Sequence, residues 1–212
     1  MKQKVVYVED ELETRRTFQR RIRRLYGNDY EVVAPELEPT LDEMIESLIS
    51  IENVVSFIVD EDLKHTGDAN YFGTELIERI RIFDSKVPIY ILTSIADKVD
   101  PKLGDVEFVI DKVELDDEPY KLKVKSRMRR HVATYCDIVT VRSNKFEELL
   151  KKSLFSALSD EEEEEYNTLN VLRVKKILGS EGKVNVSSLE LLKEKNKKLD
   201  ELESELKGLL DE

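Results

Sequence analysis

Val54-Val55-Ser56-Phe57-Ile58-Val59-Asp60-Glu61-Asp62 is the stretch whose reading decides the fold. Its first six residues are mostly β-branched or aromatic, and their apolar character is continuous rather than alternating. That pattern suits a strand buried on both faces, as in a parallel sheet covered by helices. Three acids follow at once. In an open α/β sheet, ligands bind outside the carboxyl ends of the strands. An acidic tripeptide at such an end therefore places carboxylates where chemistry is done.

Similar runs occur outward in both directions, at residues 5–8, 32–33, 89–92 and 106–110. Amphipathic segments separate them. Residues 11–26 carry an apolar stripe at Phe18, Ile22 and Leu25 and stop at Gly27, a helix C-cap. Residues 41–49 follow Thr40, with Glu43 three places on, as in a capping box. Residues 74–83 align Leu76, Ile77 and Ile80. Five strands alternating with helices predict right-handed βαβ crossovers and a doubly wound α/β sheet.

The strand ends carry the candidate chemistry. The first strand runs into Glu9-Asp10-Glu11, the third into Asp60-Glu61-Asp62, the fourth into Thr93-Ser94 and the fifth through Asp111 into Lys112. Carboxylates from two strand ends, a hydroxyl and an ammonium thus converge on one rim. Carboxylates held so close repel, and a divalent cation relieves them. Mg²⁺ accepts one or two carboxylates and leaves room for a phosphate oxygen, the pattern of a carboxylate that becomes phosphorylated.

On these residues, positions 4–136 resemble the receiver domain of two-component response regulators. The acidic pair after strand one, Asp60 ending strand three, Thr93 ending strand four, Lys112 after strand five and Pro88 opening strand four all match the family. The resemblance implies a flavodoxin-like five-stranded parallel sheet in the order 2-1-3-4-5. It implies Asp60 as phosphoacceptor, with Mg²⁺ held by Asp10, Asp60 and the Asp62 backbone carbonyl, and Glu9 assisting. Lys112 would pair with the phosphoryl group and Thr93 would move to bond it. The expected phosphodonor is a sensor histidine kinase or a phosphotransfer protein. Such a protein is a switch rather than a turnover enzyme, apart from self-dephosphorylation.

The chain also departs from the family. Gly73, matching a glycine before the third helix, lies 13 residues after Asp60, so residues 64–71 look like an insertion. The stretch between Thr93 and strand five is short and holds Pro101, which predicts a stunted fourth helix. Val113 replaces the usual proline. Val109 takes the place of the switch aromatic, and Phe108, one place off, faces the other way in a strand.

The 212 residues carry a net charge of −12, divided as −8 over residues 1–141 and −4 over the rest. Neither part is basic, which argues against nucleic-acid binding. The single cysteine, Cys136, allows no intrachain disulfide and predicts a buried apolar role. No run approaches a membrane span, and a soluble, cytoplasmic protein is expected. Two basic stretches stand out: Arg15, Arg16, Arg20, Arg21, Arg23 and Arg24 in the first helix, and Lys121 to Arg130 around an apolar stripe of Val124, Met128, Val132 and Tyr135. The first suggests docking to an acidic partner, the second homodimer salt bridges; a solvated face serves as well for either. His65 and His131 show no metal or phosphotransfer spacing.

The division expected is a receiver over residues 1–138 and a helical output or oligomerisation region over 139–212. Phe146, Leu149, Leu150 and Leu154 form a helical face with Ser143 as a cap, and Leu169, Leu172, Val174 and Ile177 continue it. Within 187–210, leucines at 192, 199 and 206 with 202 and 209 give two heptads, short of a full coiled-coil signal. A protein output partner follows. Two other functions compete. One is a haloacid dehalogenase-type phosphatase, whose D-x-D motif is echoed by Asp60 and Asp62 but which leaves Glu9-Asp10 unexplained. The other is a DNA-binding regulator, which needs a basic recognition helix not found here.

Overall fold

A computed structural model describes residues 2–99 and 104–180. Five strands, β1 (Gln3–Val8), β2 (Tyr30–Val33), β3 (Val54–Val59), β4 (Ile89–Thr93) and β5 (Phe108–Asp111), alternate with α1 (Leu12–Tyr26), α2 (Leu41–Ile49) and α3 (Gly73–Phe83). All four strand pairings are parallel and the order is β2-β1-β3-β4-β5. The sheet is flavodoxin-like, as expected. β3 lies at its centre, and Val55, Phe57, Ile58 and Val59 are buried.

Local signals set the helix bounds. Thr40 Oγ1 accepts from the Glu43 N–H at 3.3 Å while the Glu43 carboxylate accepts from the Thr40 N–H at 3.2 Å, the capping box that starts α2. Gly27, at φ 89°, ends α1. Between β4 and β5 the described residues hold only a 3₁₀ turn, Ala96–Lys98, in agreement with a stunted fourth helix.

The last helices extend beyond the sheet. α4 (Glu118–Phe155) starts at Asp117, whose carboxylate accepts from the Tyr120 N–H at 3.1 Å, and has Pro119 in its first turn. Its buried stripe, Val124, Met128, Val132 and Tyr135, lies against the sheet. The helix then continues to Phe155 and, at 38 residues, is about 57 Å long. The boundary expected after residue 138 falls inside it. Ser143 is an interior helix residue and not a cap. Backbone hydrogen bonds propagate from the packed first half, and no glycine or proline interrupts them.

α5 (Asp160–Ser180) returns alongside. The Phe146 and Tyr166 rings stack at 5.2 Å, the Arg173 guanidinium lies 4.9 Å from the Phe146 ring, and Leu149 is buried. Ser159 and Glu162 cap α5 reciprocally, and Lys152 pairs with Glu162 at 2.5 Å. The sequence segment 187–210, with its leucine heptads, lies outside the described residues. Among the described residues, no helix is long and apolar enough to cross a membrane.

Candidate functional site

The rim at the carboxyl ends of β1, β3 and β5 is acidic and buried. Glu9, Asp10 and Asp60 are each at most 5% exposed. One carboxylate oxygen from each lies within 4.8 Å of the others. Parallel pairing of Val8 with Val59 sets Glu9-Asp10 beside Asp60, and the Asp60 N–H donates to the Val8 carbonyl at 2.9 Å. Lys112 enters from the end of β5. Its Nζ lies 2.7 Å from Asp60 Oδ1 and donates to Glu9 Oε2 at 2.8 Å.

Three carboxylates thus face one ammonium. Burial, then the neighbouring Asp60, raises the Glu9 carboxyl above the ordinary glutamate value despite Lys112. Burial likewise raises Asp60, opposed by Lys112. For Lys112, burial acts to lower the ammonium, but Asp60 and then Glu9 outweigh it and the net shift is upward. A cup of oxygen donors with two uncompensated charges suits a hard divalent cation. Among the described residues, Glu9, Asp10 and Asp60 are the group with a metal-binding arrangement.

The surrounding backbone fixes this cup. Asp60 Oδ2 accepts from the Asp62 N–H at 2.9 Å. The Asp62 side chain itself is exposed. Asp10 Oδ2 accepts from the Thr66 N–H at 2.8 Å, so the long loop after β3 reaches back over the site. That loop is anchored by buried Leu63 and Tyr71, whose hydroxyl donates to the Glu38 carbonyl at 3.0 Å. Glu61 accepts from both the Thr74 N–H, at 3.0 Å, and its hydroxyl, at 3.1 Å, which ties the first turn of α3 to the site. Gly73 has a steric reason: a Cβ there would lie 2.1 Å from the Asp60 carbonyl oxygen.

Thr93 is buried at the end of β4, one strand away from Asp60. Its hydroxyl accepts from the Ile95 N–H at 3.3 Å, and its carbonyl accepts from the Lys112 N–H at 2.9 Å. Glu9, Asp10, Asp60 and Lys112 therefore meet directly. Asp62 joins through its backbone N–H, which donates to Asp60, and Thr93 stands at the edge.

Two participants escaped the sequence reading. The Thr66 amide carries no sequence signal, being backbone. Tyr7 does carry one. It lies two residues before Glu9 on the same face of β1, is fully buried, and donates its hydroxyl to Glu9 Oε2 at 2.6 Å. Elsewhere, His131 Nδ1 lies 3.1 Å from the Tyr90 hydroxyl, with Phe108 edge-to-face on Tyr90 at 4.9 Å, a packing arrangement. Cys136 is half-buried at the core margin and accepts from Gln3 Nε2 at 3.2 Å.

No protein-family model matches the chain, and no curated protein matches it. Solved structures do resemble it. The response regulator protein TrrA from Thermotoga maritima, in complex with Mg²⁺ and BeF, is 19% identical over 58% of this chain and 98% of its own, with a TM-score of 0.44. The non-phosphorylated HemR receiver domain from Leptospira biflexa is 19% identical over 62% and 94%, with a TM-score of 0.44. NtrX from Brucella abortus, in complex with ADP, is 14% identical over 72% of this chain but 34% of its own, with a TM-score of 0.48. By name, the first of these is a response regulator and the second a receiver domain.

Proposed function

We propose that the chain is a two-component response regulator, a Mg²⁺-dependent switch phosphorylated on Asp60. The observation that carries this reading is Lys112 Nζ, seated between Asp60 Oδ1 at 2.7 Å and Glu9 Oε2 at 2.8 Å over a buried three-carboxylate cup. The Asp10 and Asp60 carboxylates and the Asp62 carbonyl would hold the ion, assisted by Glu9. When bound, magnesium supplies positive charge against the oxygens of the transferring phosphoryl group.

The residues do the rest by position. An Asp60 oxygen attacks the phosphorus of a phosphohistidine, or of a small acyl phosphate. The bond from phosphorus to the donor nitrogen or oxygen breaks, and the leaving imidazole or carboxylate takes the electron pair. Lys112 turns its ammonium to the incoming oxygens, so the chemistry is mainly orientation and electrostatics. The new acyl phosphate adds roughly two negative charges. That charge draws the Thr93 hydroxyl and its loop inward and biases a two-state equilibrium. The partners are then a sensor histidine kinase or phosphotransfer protein and a protein bound by the helical region beyond residue 138, with a homodimer as the alternative output form.

A phosphatase of the haloacid dehalogenase type would use Asp60 and Asp62 but assigns nothing to Glu9 and Asp10, which form two thirds of the cup. Acetyl phosphate with Mg²⁺ separates the readings. A switch takes up one phosphoryl group per chain, lost in Asp60→Ala. Continuous release of phosphate from a phosphomonoester, with no labelled chain, defeats the proposal.

A further inference from the structure

Lys112 and Tyr7 share one acceptor. Both donate to Glu9 Oε2, the lysine at 2.8 Å and the phenol at 2.6 Å. Tyr7 is 0% exposed on β1, among Val5, Val6 and Val8, where a phenylalanine ring would serve packing alone. Glu9 is 2% exposed, and a buried carboxylate that loses a donor has little water to replace it.

Phosphorylation makes this arrangement matter. In the unliganded site Lys112 divides its ammonium between Glu9 and Asp60. Phosphoryl oxygens on Asp60 compete for that ammonium, and as Lys112 turns to them Glu9 loses one of its two side-chain donors. We propose that Tyr7 is a positioning residue of this site, whose hydroxyl keeps Glu9 bonded while Lys112 moves from that carboxylate to the phosphoryl group. The inference rests on the phosphoacceptor reading above. It differs from a packing role in one consequence: removing the hydroxyl takes one of two donors from Glu9 in the unliganded protein, but the last side-chain donor in the loaded one. The loss therefore falls mainly on the loaded form.

Beryllofluoride, a non-covalent phosphoryl mimic, tests this with the full chain at saturating Mg²⁺, its binding followed by fluorine NMR and folding by circular dichroism. Tyr7→Phe removes one oxygen and should weaken beryllofluoride binding about tenfold, the scale of one hydrogen bond to a charged group. In a Glu9→Gln background, where the acceptor is no longer a carboxylate, the same substitution should have an effect of about twofold or less. Wild-type affinity in Tyr7→Phe, or an equal loss in both backgrounds, overturns the proposal and leaves the phosphoacceptor reading standing. A wild-type chain that binds no beryllofluoride overturns both.

Discussion

The carboxyl rim of the sheet and the helical hairpin of α4 and α5 both carry dense charge, yet they use it in opposite ways. At the rim, Glu9, Asp10 and Asp60 are buried, crowded and short of one another's counter-charge. At the hairpin, Lys152 and Glu162 pair in the open, at 46% and 28% side-chain exposure, and Leu154 and Phe155 nearby are 71% and 89% exposed. Buried charge is costly unless satisfied, so its persistence points to a ligand or a reaction. Exposed charge is inexpensive and carries little information.

The largest effect expected comes from the rim. Lys112→Ala leaves two buried carboxylates without their ammonium and should lower the unfolding free energy by about 3–5 kcal/mol in metal-free buffer. Millimolar Mg²⁺ should return part of that loss, as thermal melts would show. Loss of stability without any recovery would break the contrast, because the cup would then be an ordinary ion pair. At the hairpin, Phe146→Ala removes the ring stacked on Tyr166 and should cost about 3 kcal/mol. That loss should appear as early melting of helix while Mg²⁺ binding is retained. Equal weakening of Mg²⁺ binding would show the two regions to be one cooperative unit.

Smaller effects sharpen the sign of the rim's electrostatics. Asp60 has a raised pKa in the folded state, first from burial. The folded protein thus holds that proton more tightly than the unfolded chain, whose aspartates titrate near about 3.9. The charged form disfavours folding, and the penalty grows as pH rises through the window from the unfolded value to the raised one. Asp60→Asn should therefore melt above the wild type in metal-free buffer at neutral pH, with a gap that narrows on acidification. A gap that widens on acidification contradicts this. Smallest of all, Lys152→Ala should leave the melting temperature and Mg²⁺ binding unchanged, since its partner Glu162 is solvated.

Much of this was legible from residue order. The strand at 54–59 and the helix at 41–49 have the bounds that their apolar runs and caps define, and Glu9, Asp10, Asp60 and Lys112 meet because they follow the carboxyl ends of three strands, β1, β3 and β5. Three features were hidden for separate reasons. α4 runs unbroken through Ile138-Val139-Thr140-Val141, a β-branched run of low helix propensity, because hydrogen bonding propagates from the half packed on the sheet. Tyr7 was masked by its apolar neighbours, although its i,i+2 spacing from Glu9 was there to be read. The Thr66 amide acts on Asp10 through the fold of a long loop, and backbone donors leave no mark on residue type.

Calorimetric titration of metal-free protein with Mg²⁺ puts the central question most directly. The wild type should bind one ion per chain, and Asp10→Asn and Asp60→Asn should each weaken that binding severely while remaining folded. A wild type that takes up no ion, or variants that bind it equally well, would contradict the claim that the buried carboxylates of β1 and β3 form a cation site.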